Sequence, residues 1–176
     1  MSRLHLIDCS YDAHASAILD ILNEVIASST ALYDYRPRTP ESMASWFKAK
    51  EVGRFPVLGA LDADGRFLGF ASYGTFRAWP AYKYSVEHSV YVHGNHRGKG
   101  VGMALMQRLI EVARQQEFHI MVGGIDVSNR ASIALHEKLG FFHAGTIRHA
   151  GFKFGRWLDL AFYQLLLDGP ARPVET

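Results

Sequence analysis

The spacing of apolar and polar residues along the chain predicts its helices and strands. Apolar side chains recur at helical spacing over residues 12–27, and Thr39-Pro40-Glu41 is typical of a helix start. The DADG sequence before Arg66 predicts a tight hairpin, because its glycine tolerates a positive φ. Further helices are predicted over 100–116 and 131–139, and strands over 57–61, 66–73, 86–92 and 120–125 and around 145–150 and 157–166.

The order of these elements predicts an α/β fold. The first strands follow one another as a meander, and later strands alternate with helices, so we expect a mixed sheet covered by helices. The sequence has no internal repeat and no low-complexity linker, and its 176 residues fit one domain. We therefore expect a single domain over residues 1–168 and a flexible tail over 169–176.

Composition narrows the class of protein. Apolar residues make up 48% of the chain and charged residues 20%, which is the profile of a packed globular protein. The net charge of +2 gives no general electrostatic reason to bind nucleic acid or an anionic membrane. No stretch approaches the roughly 20 apolar residues of a membrane helix, and residues 1–13 do not resemble a signal peptide. The one cysteine, Cys9, suits a reducing compartment, so we expect a cytoplasmic protein.

A glycine-rich segment between a strand and a helix is the most informative part of the chain. Its sequence is Arg97-Gly98-Lys99-Gly100-Val101-Gly102, which we call the glycine loop. Backbone N–H groups at a helix start are unpaired, and missing Cβ atoms let an anion approach them, while Arg97 and Lys99 add positive charge. The spacing fits neither the Rossmann fingerprint nor the Walker A loop. The segment predicts a phosphate-binding loop, and the alternative is a turn without a ligand.

Two blocks of the sequence resemble the GNAT acyltransferase superfamily. The glycine loop is similar to the family's acetyl-CoA pyrophosphate loop, with the pattern Q/R-x-x-G-x-G/A. Residues 129–141 (NRASIALHEKLGF) resemble its N-x-x-A-x-x-x-Y-x-K-x-G-F segment. The runs SVEHSVYV and GFKFGRWLDLAFYQL resemble, more narrowly, the phosphinothricin and methionine sulfoximine N-acetyltransferase branch. This likeness extends over residues 4–167.

The resemblance implies a fold and a cosubstrate. The fold is the GNAT acyl-CoA N-acyltransferase fold, with a mixed and mostly antiparallel central sheet whose splayed strands are covered by helices on both faces. The cosubstrate is acetyl-CoA, with its pyrophosphate on the glycine loop and its thioester carbonyl against backbone donors of Val90, Tyr91 and Val92. Asn129 is expected to bond the pantetheine, to cap a helix, or to do both.

Glu87 and His136 are the residues expected to carry the chemistry. Glu87 lies in a strand-like run where a carboxylate is unusual, and desolvation there would raise its pKa toward that of a general base. The alternative is an exposed glutamate paired with a cation. The resemblance implies that Glu87 accepts the ammonium proton of the acceptor. His136 stands where most of the superfamily has tyrosine, so it is expected either to protonate the leaving thiolate or to be a core histidine.

Other residues are expected to contact the acceptor. Arg77, next to Phe76, could clamp a carboxylate or phosphinate, unless it is an ordinary surface arginine. Tyr33 is expected to line the acceptor pocket. Lys153 and Phe154 lie in a segment that, by resemblance, reaches toward a partner subunit of a homodimer.

The implied reaction is direct transfer of acetyl, in a ternary complex, to the α-amino group of a small amino acid analogue of phosphinothricin or methionine sulfoximine type. The alternatives are a GNAT enzyme for protein N-termini or another small amine, a CoA-binding sensor without activity, and a structural domain. A metal site is not expected, because His93 and His96 have no third ligand at a useful spacing. A nucleophilic role for Cys9 is not expected either.

Overall fold

The structure, a computed structural model, describes residues 4–175. The described elements, in chain order, are β1 His5–Asp8, α1 Tyr11–Ser28, α2 Pro40–Val52, β2 Val57–Leu61, β3 Phe67–Thr75, β4 Ser85–Val92, α3 Val101–Gln115, β5 Ile120–Asp126, α4 Arg130–Lys138, β6 Phe142–Lys153 and β7 Arg156–Leu166. The strands form one sheet in the order β1-β2-β3-β4-β5-β7-β6. Strands β4 and β5 pair in parallel, whereas β1–β2, β2–β3, β5–β7 and β6–β7 pair antiparallel, which confirms the predicted mixed α/β class.

Two strands differ from the sequence prediction. Strand β1 was not predicted, because its four residues show no alternating pattern; its register, His5 opposite Leu61 through Asp8 opposite Leu58, is fixed by pairing with β2. Strand β6 extends beyond the predicted residues 145–150 at both ends. Its side chains are mostly exposed, so burial gives β6 little of the apolar pattern by which strands are recognised.

The chain divides into two compact units, of which the first contains residues up to Ser72 and Ser89–Leu109. Its core is built by the apolar stripe of α1 together with single residues from α2, β2 and β3. Helix α1 begins after Ser10, whose Oγ accepts a hydrogen bond from Ala13 N–H at 3.4 Å. The core residues are Ile18, Leu19, Ile21, Leu22, Val25, Met43, Val57 and Phe70.

The second unit contains Tyr73–His88 and the chain from Ile110 onward. Strand β5 pairs with β7 along its whole length, from Ile120 opposite Leu166 to Asp126 opposite Leu160. The parallel ladder joins Ser85–Glu87 of β4 to Ile120–Val122 of β5. The single domain over residues 1–168 and the flexible tail over 169–176 stay predictions. In that tail, Val174 N–H donates to Tyr84 Oη at 3.0 Å. No helix within residues 4–175 is long and apolar enough to cross a membrane.

Candidate active site

Glu87 lies beside a cation on strand β4. Its Oε2 is 4.0 Å from Arg77 Nη1, and both side chains are partly exposed. The guanidinium of Arg77 lies 4.3 Å from the centre of the Phe76 ring and donates to Phe76 O at 2.7 Å, so the aromatic residue orients it. Burial raises the pKa of Glu87 above its ordinary value of 4.5, and Arg77 opposes part of that rise. The carboxylate is therefore a stronger base than a solvated glutamate, with a positive charge next to it.

Two consecutive glycines of β5 make room for the polar side chains of β4. A Cβ on Gly124 would lie 3.4 Å from Glu87 Oε1, so this glycine lines the space on the face that holds Glu87. A Cβ on Gly123 would lie only 2.6 Å from His88 Nε2, which is too close for an ordinary contact. Successive side chains of a strand point to opposite faces, so Glu87 and His88 lie on opposite sides of the sheet. These two glycines were not predicted as part of the site, although two glycines inside a strand signal a close approach of another group.

His88 and His136 form a buried pair, which we call the histidine pair. Their Nε2 atoms are 3.0 Å apart, and their rings stack with centroids 4.9 Å apart. The ring of Phe141 meets both imidazoles edge-on, at 5.1 Å from His136 and 5.5 Å from His88. The structure thus places His136 with His88, on the face of β4 opposite to Glu87.

The hydrogen bonds of the histidine pair fix its protons. Ser132 O can only accept, so the 2.6 Å contact places a proton on Nδ1 of His136. In a neutral ring, Nε2 of His136 must then accept, and the donor is Nε2–H of His88. Nδ1 of His88 is consequently a bare acceptor, and it finds no partner within residues 4–175. Burial lowers the pKa of both rings, that of His88 well below 6.5, which supports a neutral pair.

This geometry bears on the two roles expected of His136. The side chain is 1% exposed and its Nε2 already accepts a hydrogen bond, as in a core histidine. Its role as an acid toward a thiolate stays a prediction.

The glycine loop follows a short 3₁₀ turn, Gly94–His96, and leads into α3. Gly98 and Gly100 have φ of 72° and 84°, values that side chains with a Cβ rarely adopt. Apart from the glycine itself and its two chain neighbours, no described residue has an atom within 4 Å of where a Cβ on Gly98 or Gly100 would stand, so the loop is open at these positions. The hydrogen bond from Ala104 N–H to Gly100 O, at 3.0 Å, belongs to the first turn of α3, so the amides of Val101 and Gly102 precede it and have no acceptor within the helix.

The two cations of the glycine loop turn back onto the protein. Arg97 Nε donates to Val92 O at 3.0 Å, and its Nη2 lies 3.4 Å from Glu24 Oε1. Lys99 Nζ donates to Asn95 O at 2.9 Å. The sequence predicted charge at the rim of the loop, but it could not show that the charges have partners already. Among the donors of this segment, the amides of Val101 and Gly102 are those without an acceptor in the helix.

The remaining predicted residues lie in three places. Asn129 caps α4, because its Oδ1 accepts from Ser132 N–H at 3.1 Å. Tyr33 is exposed in the loop between α1 and α2. Lys153 is buried at the end of β6, with Nζ 4.9 Å from the centre of the Phe154 ring. The roles of these residues in binding stay predictions.

Val90, Tyr91 and Val92 form the last part of β4, where all three are half-buried. The ring of Tyr91 packs 5.6 Å from that of Phe70, which ties this end of the strand to the core of the first unit. Their expected role as backbone donors to a thioester stays a prediction.

Metal ligands and a reactive thiol find no support in the described chain. Within residues 4–175, no three His, Cys, Asp or Glu side chains are grouped to hold a metal ion. Burial raises the pKa of Cys9 to about 12, so this thiol is protonated at neutral pH.

Known proteins resemble the chain over most of its length. The family model of the acetyltransferase (GNAT) family matches residues 19–141. The L-methionine sulfoximine/L-methionine sulfone acetyltransferase of Pseudomonas aeruginosa PAO1 is 46% identical over 156 residues, which cover 89% of this chain and 91% of the relative. A crystal structure of a phosphinothricin acetyltransferase from Sinorhizobium meliloti in complex with acetyl-CoA has a TM-score of 0.92 and 36% identity, with 98% of this chain and 93% of that chain covered.

Another similar solved structure is named for a protein acceptor instead of an amino acid analogue. The ribosomal-protein-alanine N-acetyltransferase of Brucella melitensis has a TM-score of 0.89 and 39% identity, covering 93% of this chain and 99% of that chain. The family match and the relatives agree with the two sequence blocks that pointed to the same superfamily. The chain therefore belongs to the acetyltransferase (GNAT) family.

Proposed function

We propose that this chain transfers the acetyl group of acetyl-CoA to the α-amino group of a small amino acid analogue of L-methionine sulfoximine, L-methionine sulfone or phosphinothricin type. One observation carries the choice of acceptor: the raised-pKa carboxylate of Glu87 lies 4.0 Å from the guanidinium of Arg77. An α-amino acid presents an ammonium and a carboxylate close together, and this pair offers a partner for each. The 46% identity to a methionine sulfoximine acetyltransferase supports the same acceptor class.

Glu87 is the general base in this proposal. An ammonium group has no lone pair, so it must lose a proton before it can attack, and a half-buried carboxylate accepts that proton better than a solvated one. When bound, acetyl-CoA would supply an activated acetyl group: the amine nitrogen forms a C–N bond as the C–S bond breaks, and the second proton that the nitrogen then loses balances the one that the leaving thiolate gains. Direct attack in a ternary complex needs no nucleophile from the protein, which agrees with the protonated thiol of Cys9.

The residues of the glycine loop fit a pyrophosphate. The amides of Val101 and Gly102 have no acceptor within α3, and the space above Gly98 and Gly100 is open. Donors and the positive end of a helix dipole favour an anion there. Backbone donors of Val90–Val92 would polarise the thioester carbonyl, and Asn129 keeps its side-chain N–H groups for the pantetheine while its Oδ1 caps α4.

A panel of acceptors tests the proposed substrate. Purified protein is assayed with acetyl-CoA against L-methionine sulfoximine, L-methionine sulfone, phosphinothricin and a peptide with an N-terminal alanine. We expect the three amino acid analogues to give a kcat/KM at least tenfold above that of the peptide, because a peptide has no α-carboxylate beside its amine. Preferred turnover of the peptide would favour the alternative of an enzyme for protein N-termini, the kind of acceptor in the name of the Brucella relative. Binding of acetyl-CoA without turnover of any amine would favour the sensor alternative.

We further propose that the protein is a cytoplasmic homodimer that pairs through β6 and β7. Support for the dimer comes from apolar side chains exposed on these strands and their connecting turn, among them Ile147, Phe154 and Trp157 at 53–59% exposure. Support for the cytoplasm comes from the single free cysteine. Sedimentation equilibrium at micromolar concentration tests the dimer, and a monomer mass would contradict it.

A further inference from the structure

The carboxylate of Glu24, on α1, contacts several polar groups at the end of β4 and the start of the glycine loop. Glu24 accepts hydrogen bonds from Gly94 N–H, at 3.0 Å on Oε1 and 3.2 Å on Oε2. Arg97 Nη2 lies 3.4 Å from Oε1, and His93 Nε2 lies 3.8 Å from Oε2. Three donors within five consecutive residues thus meet a single side chain.

Three features of residues 93–97 favour the contact with the Glu24 carboxylate. A Cβ on Gly94 would lie 2.5 Å from Glu24 Oε1, so a residue with a side chain there would displace the carboxylate from its present position against the amide. His93 Nδ1 accepts from Asn95 N–H at 3.3 Å, so in the neutral ring the proton sits on Nε2 and faces Glu24. Arg97 is held at two points, because its Nε donates to Val92 O while its Nη2 faces Glu24. Glu24, His93 and Gly94 take no part in the chemistry described above.

The charge of Glu24 shows what the cluster can and cannot do. A carboxylate next to a loop that binds an anion is unfavourable by itself, so Glu24 is not a ligand of the pyrophosphate. The guanidinium of Arg97, 3.4 Å from Glu24 Oε1, offsets the negative charge of that carboxylate. Because Arg97 is engaged in this way, binding falls to the amides that follow it, and their orientation depends on how residues 93–97 are held.

We propose that Glu24 is a positioning residue for acetyl-CoA: by holding Gly94 and Arg97 it fixes the glycine loop in the conformation that presents its amides. This inference rests on the proposed function, since it concerns the same cosubstrate. Glu24 touches neither the acetyl group nor the amine, so its loss is expected to change affinity rather than the chemical step.

Three variants test the proposal. Glu24→Ala removes the acceptor, Glu24→Gln keeps one oxygen for Gly94 N–H, and Asp20→Ala removes an exposed carboxylate one turn earlier on α1 as the matched control. The Kd for acetyl-CoA is measured by calorimetry, and kcat and KM with L-methionine sulfoximine are measured alongside. We expect Glu24→Ala to raise Kd and KM for acetyl-CoA about tenfold, since it loses hydrogen bonds worth about 1.4 kcal/mol together. Glu24→Gln is expected to raise them about threefold and Asp20→Ala to leave them unchanged, with kcat within about twofold in all three.

Several results would overturn this role. A Kd for Glu24→Ala equal to that of the wild type, or tighter, would show that the carboxylate does not hold the loop. A loss confined to kcat would contradict a positioning role in binding. If Glu24→Ala unfolds, the comparison of Glu24→Gln with Asp20→Ala decides by the same criterion. Wild-type protein that binds acetyl-CoA but acetylates no amino acid analogue would overturn the proposed substrate, while the Kd values would still decide the role of Glu24.

Discussion

Acid is expected to destabilise this protein through its buried histidine pair. Burial lowers the pKa of His88 well below 6.5 and that of His136 below the same value, so both rings stay neutral in the folded chain at pH values where they are protonated in the unfolded chain. Between the folded pKa and 6.5, the unfolded chain therefore binds more protons. The free energy of unfolding falls as the pH falls through this window. Above about pH 6.5 both states hold the rings neutral, so no stability is lost there.

The size of the effect follows from the burial of His88. Each pH unit below 6.5 at which its ring stays neutral costs about 1.4 kcal/mol of stability. Even one such pH unit is a substantial part of the roughly 5–15 kcal/mol that stabilises a typical domain. His136 adds to this loss, by less because its hydrogen bond to Ser132 opposes the lowering of its pKa.

The assay compares pH profiles of stability. Urea unfolding is followed at several pH values between 5 and 8 for the wild type, for His88→Gln, and for His5→Gln as a control with an exposed histidine on β1. His88→Gln removes the titrating ring but keeps an amide that can donate to His136, so its profile is expected to be flatter, by about 1.4 kcal/mol for each pH unit below 6.5 at which the wild-type ring stays neutral. Profiles of equal slope for the wild type and His88→Gln would refute the assignment of a neutral, buried His88.

Two further predictions concern the sheet and the acceptor. Gly123→Ala is expected to cost about 1–3 kcal/mol in urea unfolding, because its Cβ would lie 2.6 Å from His88 Nε2. Gly124→Ala, whose Cβ would lie 3.2 Å or more from its neighbours, is the matched control and is expected to cost less; equal losses would contradict the packing described. Arg77→Gln is expected to raise KM for L-methionine sulfoximine about tenfold while the KM of its methyl ester changes little, since a charged contact contributes about 1.5–3 kcal/mol. An equal rise for both substrates in steady-state assays would remove Arg77 from carboxylate binding.

Local patterns in the sequence predicted most of the fold. Helix α1 shows its apolar stripe at helical spacing, and Pro40 marks the start of α2, so both helices can be predicted from residues that are close together in the chain. The glycine loop was found in the same way, because its glycines and the following helix are adjacent in the chain. Strand β1 was missed because its four residues carry no pattern of their own and owe their conformation to β2.

The partners of charged and polar side chains could not be predicted in this way. His136 was open to interpretation as a core histidine, yet its partner His88 lies 48 residues earlier in the chain, and nothing local joins the two rings. The positive charge of Arg97 pointed toward a phosphate, whereas Glu24, 73 residues earlier, engages that charge. Such pairings depend on which elements the fold brings together.

The role of Glu87 as the base is tested most directly by the pH dependence of kcat/KM for L-methionine sulfoximine in the wild type and in Glu87→Gln. The wild type is expected to lose activity on the acid side with an apparent pKa above 4.5, because burial raises the pKa of this carboxyl. Glu87→Gln is expected to be about 10²–10⁴ slower at neutral pH and to lack that acid limb. A variant as active as the wild type, with the same profile, would contradict the account.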